Sequence, residues 1–372
     1  MQPLDLDTLA GALQMRPGGP WPTIRSTRHG RAAQLGIGIA AAALPQRMAL
    51  LHRLCGAAHS IAAGHAVAAA TGAWRGVDAA ARRRLQADTL REHLRRLWLE
   101  LPAVLADGAA AGGHADNAAG RACGLDPGAL AACPVARGAD HLDEVSRQWV
   151  EAQLLGGPAA AWLQAWDEDA ADAAARWVQG CRTGPARVLA RLHTLLGDRA
   201  QPVRALLPHA SPGGLQALAA DLLADDGFER APRWQGSCAE IGSWTRLADR
   251  WSPAPSLWMR HAARVAEVAR LVGEQGHRWL DQGALALEPG AGLGWCEMAR
   301  GLLLYRVRVE EGGRVAECRL VAPTEWNFHP QGSAAHALAA LPRDAGASLA
   351  RALVAAYDPC VRVSLSPETA DA

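Results

Sequence analysis

The chain has 372 residues, 38 basic against 37 acidic, and a formal net charge of +1. That balance argues against a general nucleic-acid binder. The lack of any run of about 18 apolar residues argues against a transmembrane helix, and an N-terminus with no basic segment before an apolar one argues against a secretory signal.

Alanine alone supplies 82 residues, and leucine is the main large apolar side chain. This composition favours helices over sheets. All 38 basic residues are arginine, and 14 Trp stand beside two Phe and two Tyr. Both biases read as GC-rich nucleotide composition rather than as arginines selected for phosphate. Eight cysteines without CxxC spacing exclude the structural-zinc patterns. Reduced thiols in a cytoplasm are expected.

In chain order, residues 1–45 are punctuated by Pro and Gly and read as loops with short strands. Residues 47–71 lack proline and predict one long buried helix. Residues 77–107 continue in helix, with Leu85, Leu90, Leu94, Leu97 and Leu101 on one face and arginines on the other. Residues 107–140, rich in Gly, Ala, Asp and Asn, predict a mobile loop or an insertion. Helices follow at 141–180, interrupted at 156–158, then at 184–196 and 213–225. The acidic stretch 166–177 reads as a solvated helix face. Residues 227–255 read as irregular, and 257–280 as an amphipathic helix. The period then changes: 302–310, a Gly turn and 314–323 predict a β-hairpin, with Tyr305, Val307 and Val309 on one face. Two helices, 333–341 and 345–356, precede Asp358-Pro359-Cys360. No internal repeat is found.

Four stretches carry chemical potential. In the first, His52, Cys55 and His59 would share about 60° of arc on a helix. Imidazole and thiolate together suit a borderline metal, although helix-face His and Cys are more often ordinary core or surface residues. The second is Asp358-Pro359-Cys360. The third is Glu297-Met298-Ala299-Arg300-Gly301, entering the hairpin. The fourth is Ala322-Pro323-Thr324-Glu325-Trp326-Asn327, leaving it.

In this order the four resemble the [NiFe]-hydrogenase large subunit, with its R-x-C-G-x-C, E-A-P-R-G, V-P-S/T-T-W-N and D-P-C-x-x-C motifs. A fifth segment, Pro232 to Arg246, resembles the family's P-x-W-x-G…E-T-G-x-x-x-R. The resemblance runs from about residue 47 to 363 and is sparse between 75 and 225. It implies a mainly α (α+β) fold: a large-subunit-like helical bundle with a small antiparallel β-hairpin near the site. We read residues 1–372 as one domain. Residues 47–75 carry the first Cys motif, and 227–363 carry the hairpin and the Asp-Pro-Cys motif.

The departures matter most. The family's two CxxC pairs each supply a terminal and a bridging thiolate. Here Cys55 and Cys360 match the first of each pair, while Ala58 and Val363 replace the bridging ones. No glutamate precedes Glu92, so the family's upstream Glu is missing. The family's His after its first motif falls at Ala62, its Pro before the Arg at Ala299, and its following His at Tyr305. No C-terminal His follows Cys360. The chain is therefore most similar to the HupK/HoxV hydrogenase assembly proteins.

That resemblance implies a non-enzymatic scaffold. It would carry an Fe(CN)2(CO) unit transiently, without nickel, during large-subunit maturation. Cys55 and Cys360 would be the metal ligands, with His52 and His59 as less favoured ones. Arg300 and Thr324 would hold the cyanides. Implied partners are the hydrogenase large-subunit precursor, small maturation chaperones and the iron-cofactor assembly complex, in the cytoplasm. The main alternative is an interaction-only mimic that binds maturation factors without iron. A residual hydrogenase, and a nickel or iron carrier through His52, Cys55 and His59, are further rivals. Cys123, Cys133, Cys181, Cys238, Cys296 and Cys318 match no ligand position and read as free thiols, with a metal site of His114, Cys123 and Cys133 as a minor option.

Overall fold

The structure is a computed structural model. It describes residues 11–28, 31–105, 121, 123–199, 206, 208, 213–247 and 256–365. His114 and the segment 107–120 lie outside these residues.

The N-terminal hairpin β1 (Ala12–Met15) and β2 (Ile24–Ser26) is extended by β7 (Arg362–Leu365), which pairs parallel to β1 with Leu13 opposite Val363. The two ends of the described chain are thereby tied to each other. Between them run α1 (Leu44–Leu51), α2 (Gly56–Ala70), α3 (Ala79–Arg95), which continues through a π turn to Val104, and a group of helices at 144–150, 159–168, 170–180, 184–196 and 214–224.

The long helix expected over 47–71 is two helices. His52 and Cys55 both have non-helical backbone, and His52 closes α1 by donating its N–H to Met48. A Cβ at Gly56 would lie 2.9 Å from the Ala49 carbonyl oxygen, so the chain reverses only because that side chain is absent.

α4 (Leu257–Val272) is buried all round rather than amphipathic. Its charged residues other than Arg270 are internal and matched. Arg260 pairs with Glu240 at 2.7 and 2.9 Å. Glu267 accepts from Arg246, His93, Ser243 and Trp279 at 2.6 to 3.0 Å. Helical period is a poor guide here, because the polar face packs on other polar faces rather than on water.

The hairpin belongs to a larger sheet. β3 (Gln282–Ala286), β4 (Ala291–Met298), β5 (Gly301–Val309) and β6 (Val315–Val321) form an antiparallel meander in that order. β3 and β4 escape a propensity reading because Ala and Gly dominate β3 and interrupt the start of β4. The glycines have a reason. A Cβ at Gly292 would approach the Ala66 carbonyl oxygen to 2.4 Å, and one at Gly294 the Ala62 oxygen to 2.2 Å. α2 therefore lies directly on the backbone of β4. On this side of the sheet Cys296, Leu303, Tyr305 and Val307 join the main core, which extends from Leu13 to Tyr357. On the other side Trp295, Leu302, Leu304 and Trp326 form a second core with Leu218, Leu222 and Phe228. Burial on both faces explains why β5 opens with the apolar run 302–305.

Part of the expected loop at 107–140 is ordered. Pro127–Ala132 and Pro134–Arg137 form short helical turns, with Cys133 and Val135 fully buried. Arg91 of α3 holds them by donating to the Val135 and Ala139 carbonyls at 2.9 and 2.6 Å. Two more helices follow the sheet, α5 (Ser333–Ala339) and α6 (Ala347–Ala356), as expected. No helix among the described residues is long and apolar enough to cross a membrane.

Candidate functional site

Four turns converge where α2 meets the sheet. Cys55 is the residue before α2, 6% exposed. Arg300 occupies the two-residue turn between β4 and β5, where Met298 pairs with Gly301. Thr324 lies in the helical turn Pro323–Asn327 that follows β6. Cys360 lies between α6 and β7, and the β1–β7 pairing holds its segment.

Cys360 has two polar neighbours. Thr324 Oγ1 and Cys360 Sγ share a hydrogen bond of 2.9 Å. Arg28 Nη1 donates to the same sulfur at 3.6 Å, while Arg28 Nε donates to Glu325 at 2.6 Å. Burial opposes the charge on Arg28, but Glu325 and Cys360 outweigh it and raise its pKa.

Cys55 and Cys360 are close enough for the charge of one to act on the other. Burial and then Glu92 push the Cys55 thiol well above its ordinary pKa, with Arg300 pulling the other way. Arg300 is 6% exposed and bonded through Nη1 to Glu92 Oε2. Its Nε lies 3.7 Å from Asp358 Oδ1. Burial works against the guanidinium, but Asp358 and Glu92 outweigh it and hold it firmly charged. Asp358 is in turn held by Arg96 at 3.2 Å and Arg264 at 3.3 Å. Burial alone would raise its pKa, but Arg96, Arg300 and Arg264 keep it well below the usual carboxylate range. Asp358 adopts a left-handed backbone with φ of 55°, a conformation Asp tolerates better than most residues. It turns the chain so that Cys360 can face Thr324.

The histidines take a different arrangement from the one a single helix would give. His52 and His59 stack with ring centroids 3.7 Å apart and planes 7° from parallel. A metal bound by imidazole lies near the ring plane, and two parallel planes cannot both contain one ion. His59 Nδ1 is also engaged with Tyr305 OH at 2.7 Å. Burial, helped by Arg28, lowers the His52 pKa to about 4. Burial, then His52 and both site arginines, lower that of His59 well below its ordinary value. No group of three or more His, Cys, Asp or Glu among the described residues is arranged to hold a metal ion.

Both positions expected to have lost a bridging thiolate carry hydrocarbon: Ala58 is fully buried on α2, and Val363 packs against the main core from β7. Ala62, expected at the place of the family's His, is fully buried on α2 as well. The remaining cysteines lie elsewhere. Cys123, Cys133, Cys296 and Cys318 are buried, whereas Cys181 and Cys238 are partly exposed. Cys296 donates to the Ala58 carbonyl at 3.4 Å, and Cys238 contacts His329 Nδ1 at 3.2 Å.

The structure therefore brings Cys55, Cys360, Arg300 and Thr324 into one neighbourhood and adds Arg28, Glu92, Asp358 and Glu325 to it. Asp358 could have been found from its place in the Asp-Pro-Cys motif. Arg28 carries no signal, being one of 38 arginines.

No protein-family profile matches the chain. It is 38% identical to the hydrogenase expression/formation protein HoxV of Cupriavidus necator, across 95% of this chain and 94% of that one. It is 29% identical to HupK of Azotobacter vinelandii, also a hydrogenase expression/formation protein, across 88% and 89%. The fold is that of [NiFe]-hydrogenase large subunits. The chain aligns with a [NiFeSe] hydrogenase variant from Desulfovibrio vulgaris Hildenborough at a TM-score of 0.55 and 16% identity, covering 91% and 92% of the two chains. With an NAD+-reducing [NiFe]-hydrogenase the TM-score is 0.51 at 17% identity, again covering 91% and 92%.

Proposed function

The chain belongs to the HoxV/HupK family of hydrogenase expression/formation proteins, and from that premise we propose that it carries the Fe(CN)2(CO) unit as a transient cargo during large-subunit maturation. The family's names support a role in hydrogenase maturation. The cargo, its ligands and its partners are our own reading. The partners would be the large-subunit precursor, small maturation chaperones and the iron-cofactor assembly complex.

The observation that carries the reading is the environment of Cys360. Its sulfur meets Thr324 Oγ1 at 2.9 Å and Arg28 at 3.6 Å, with Cys55 and Arg300 in electrostatic reach. A low-spin iron(II) with cyanide and CO is a soft centre that accepts thiolates. Iron(II) with two cyanides and CO is neutral, so two thiolates leave the complex doubly anionic. Arg28 and Arg300 supply two guanidinium groups against that charge, and donors of this kind suit an anionic acceptor. Arg300 would serve one cyanide and Thr324 the other. With Ala58 and Val363 at the bridging positions, two thiolates hold the unit less firmly than four would. Weaker holding suits delivery rather than turnover.

Infrared spectroscopy of protein purified anaerobically from its native host tests this. Cyanide and CO bands are expected, and they should vanish in Cys55→Ala and in Cys360→Ala. Protein that is active in maturation but shows no such bands would reject the cargo reading.

The second reading, an interaction-only mimic of the large subunit, draws on the same buried Ala58 and Val363, which keep the shape of the fold without the metal ligands. It predicts that the double Cys55→Ala, Cys360→Ala variant still supports maturation.

A further inference from the structure

We infer that Glu92 is a release latch: its carboxylate competes with a cyanide ligand for Arg300 and so shortens the stay of the iron unit. This rests on the reading that Arg300 serves a cyanide.

Glu92 projects from α3 and is buried. Its Oε2 is bonded to Arg300 Nη1, and its Oε1 has no hydrogen-bond partner. Asp358 and Glu92 differ in their support. Asp358 is fixed by Arg96 and Arg264 as well as facing Arg300. It keeps two cations whatever Arg300 does. Around Glu92 the other strong influences are acidic, Asp88 and Asp358, and both repel its charge. Arg300 is the cation that stabilises it.

Where Glu92 is ionised, on the alkaline side of about pH 8, a cyanide that draws the Arg300 N–H groups to itself leaves a carboxylate underpaired in a buried, acidic neighbourhood. Uncompensated buried charge is strongly unfavourable. That cost falls on the loaded protein and is returned when the cargo leaves. A carboxylate placed only to buttress Arg300 would act in the opposite direction, since the Asp358 contact and the Glu92 bond would together aim the guanidinium at its ligand. The two roles thus predict opposite signs for the same substitution.

The test is the lifetime of the cargo on the whole protein. Wild type and Glu92→Gln are purified anaerobically from the native host. The half-life of the cyanide and CO infrared bands is then followed after adding excess ferrous chelator, in buffer alkaline enough to ionise Glu92. The amide keeps the shape of the side chain and removes its charge. A latch predicts a half-life about tenfold longer in Glu92→Gln, with a shifted cyanide band as Arg300 bonds its ligand more strongly. An unchanged or shorter half-life in the folded variant overturns the latch. If Glu92→Gln does not fold, Glu92→Asp keeps the charge but withdraws it by one methylene from Arg300. There too a longer half-life supports the latch and a shorter one rejects it. Wild-type protein with no bands overturns the cargo reading and the latch together. Bands whose lifetime ignores Glu92 overturn the latch alone.

Discussion

Arg28 and Cys360 are 332 residues apart in the chain, yet the guanidinium of one donates to the sulfur of the other at 3.6 Å. The contact depends on the parallel pairing of β1 with β7, which sets the start of the described chain beside its end. Arg28 then spans from Cys360 to Glu325 and links the N-terminal hairpin to the turn that carries Thr324. The site is thus closed by long-range contacts from both ends of the chain.

Thr324→Val removes a hydroxyl from Cys360 while keeping the side-chain shape. Loss of one such bond is expected to cost about 1 kcal/mol of stability, read by urea denaturation. Cargo bands should weaken or shift, and Thr324→Ser should restore them. Unchanged bands in the valine variant would remove Thr324 from the site.

Gly294 lets α2 lie on β4. Gly294→Ala places a methyl 2.2 Å from the Ala62 carbonyl oxygen, so α2 must shift and Cys55 with it. Overpacking of this kind should cost about 1–3 kcal/mol, together with loss of the cargo bands. Gly312→Ala is the control. Its added Cβ meets nothing within 4 Å, and stability should change by about 0.5 kcal/mol or less.

Glu267 holds together α3, α4 and the segment before it by accepting from His93, Ser243, Arg246 and Trp279. Glu267→Ala would strand a buried arginine. A loss of about 3–5 kcal/mol is expected, seen as a lower urea midpoint. A small effect would mean that the helices around it carry the stability by apolar packing alone.

Acid should destabilise the fold through its buried imidazoles. Burial lowers the pKa of His52 to about 4, and that of His59, His93 and His261 as well. The unfolded chain, with histidine near about 6.5, binds more protons than the folded one in this window. Stability therefore rises with pH there, and it is lost as pH falls from about 6.5 toward 4. Glu92 has the opposite sign. Burial raises its pKa to about 8, so the folded state binds the extra proton, and its contribution declines as pH climbs from the unfolded value, about 4.3, through 8. Urea midpoints across pH should fall on the acid side. Glu92→Gln should lessen the decline between neutral pH and 8; an identical pH profile in that variant would show that Glu92 does not titrate in this range.

Much of the site was legible because its residues lie in short motifs. Arg53 to Ala58, Glu297 to Gly301, Ala322 to Asn327 and Asp358 to Cys360 each keep their spacing in the chain, and local spacing survives in a sequence. The helices at 184–196 and 347–356 were legible for a similar reason, since a 3.6-residue period is a local property. Other features were hidden. β3 and β4 look like loop because their glycines answer to distant partners, Gly283 to the Trp295 ring and Gly292 and Gly294 to α2, which lies on β4. The α1–α2 break was hidden by an alanine background that suits helix on both sides.

The sequence by itself carried the periods of several helices and the short motifs that hold Cys55, Arg300, Thr324 and Cys360, because each is fixed by residue type at a given place in the chain. The tertiary structure decided what those residues meet. It parted His52 and His59 from a common metal by stacking their rings, and it gave Cys360 the guanidinium of Arg28. It also set Glu92 on Arg300 in an acidic, water-poor interior. The physical reason is range. Helical period and motif spacing act over a few residues, whereas burial and charge pairing depend on which distant segments the packed core brings together.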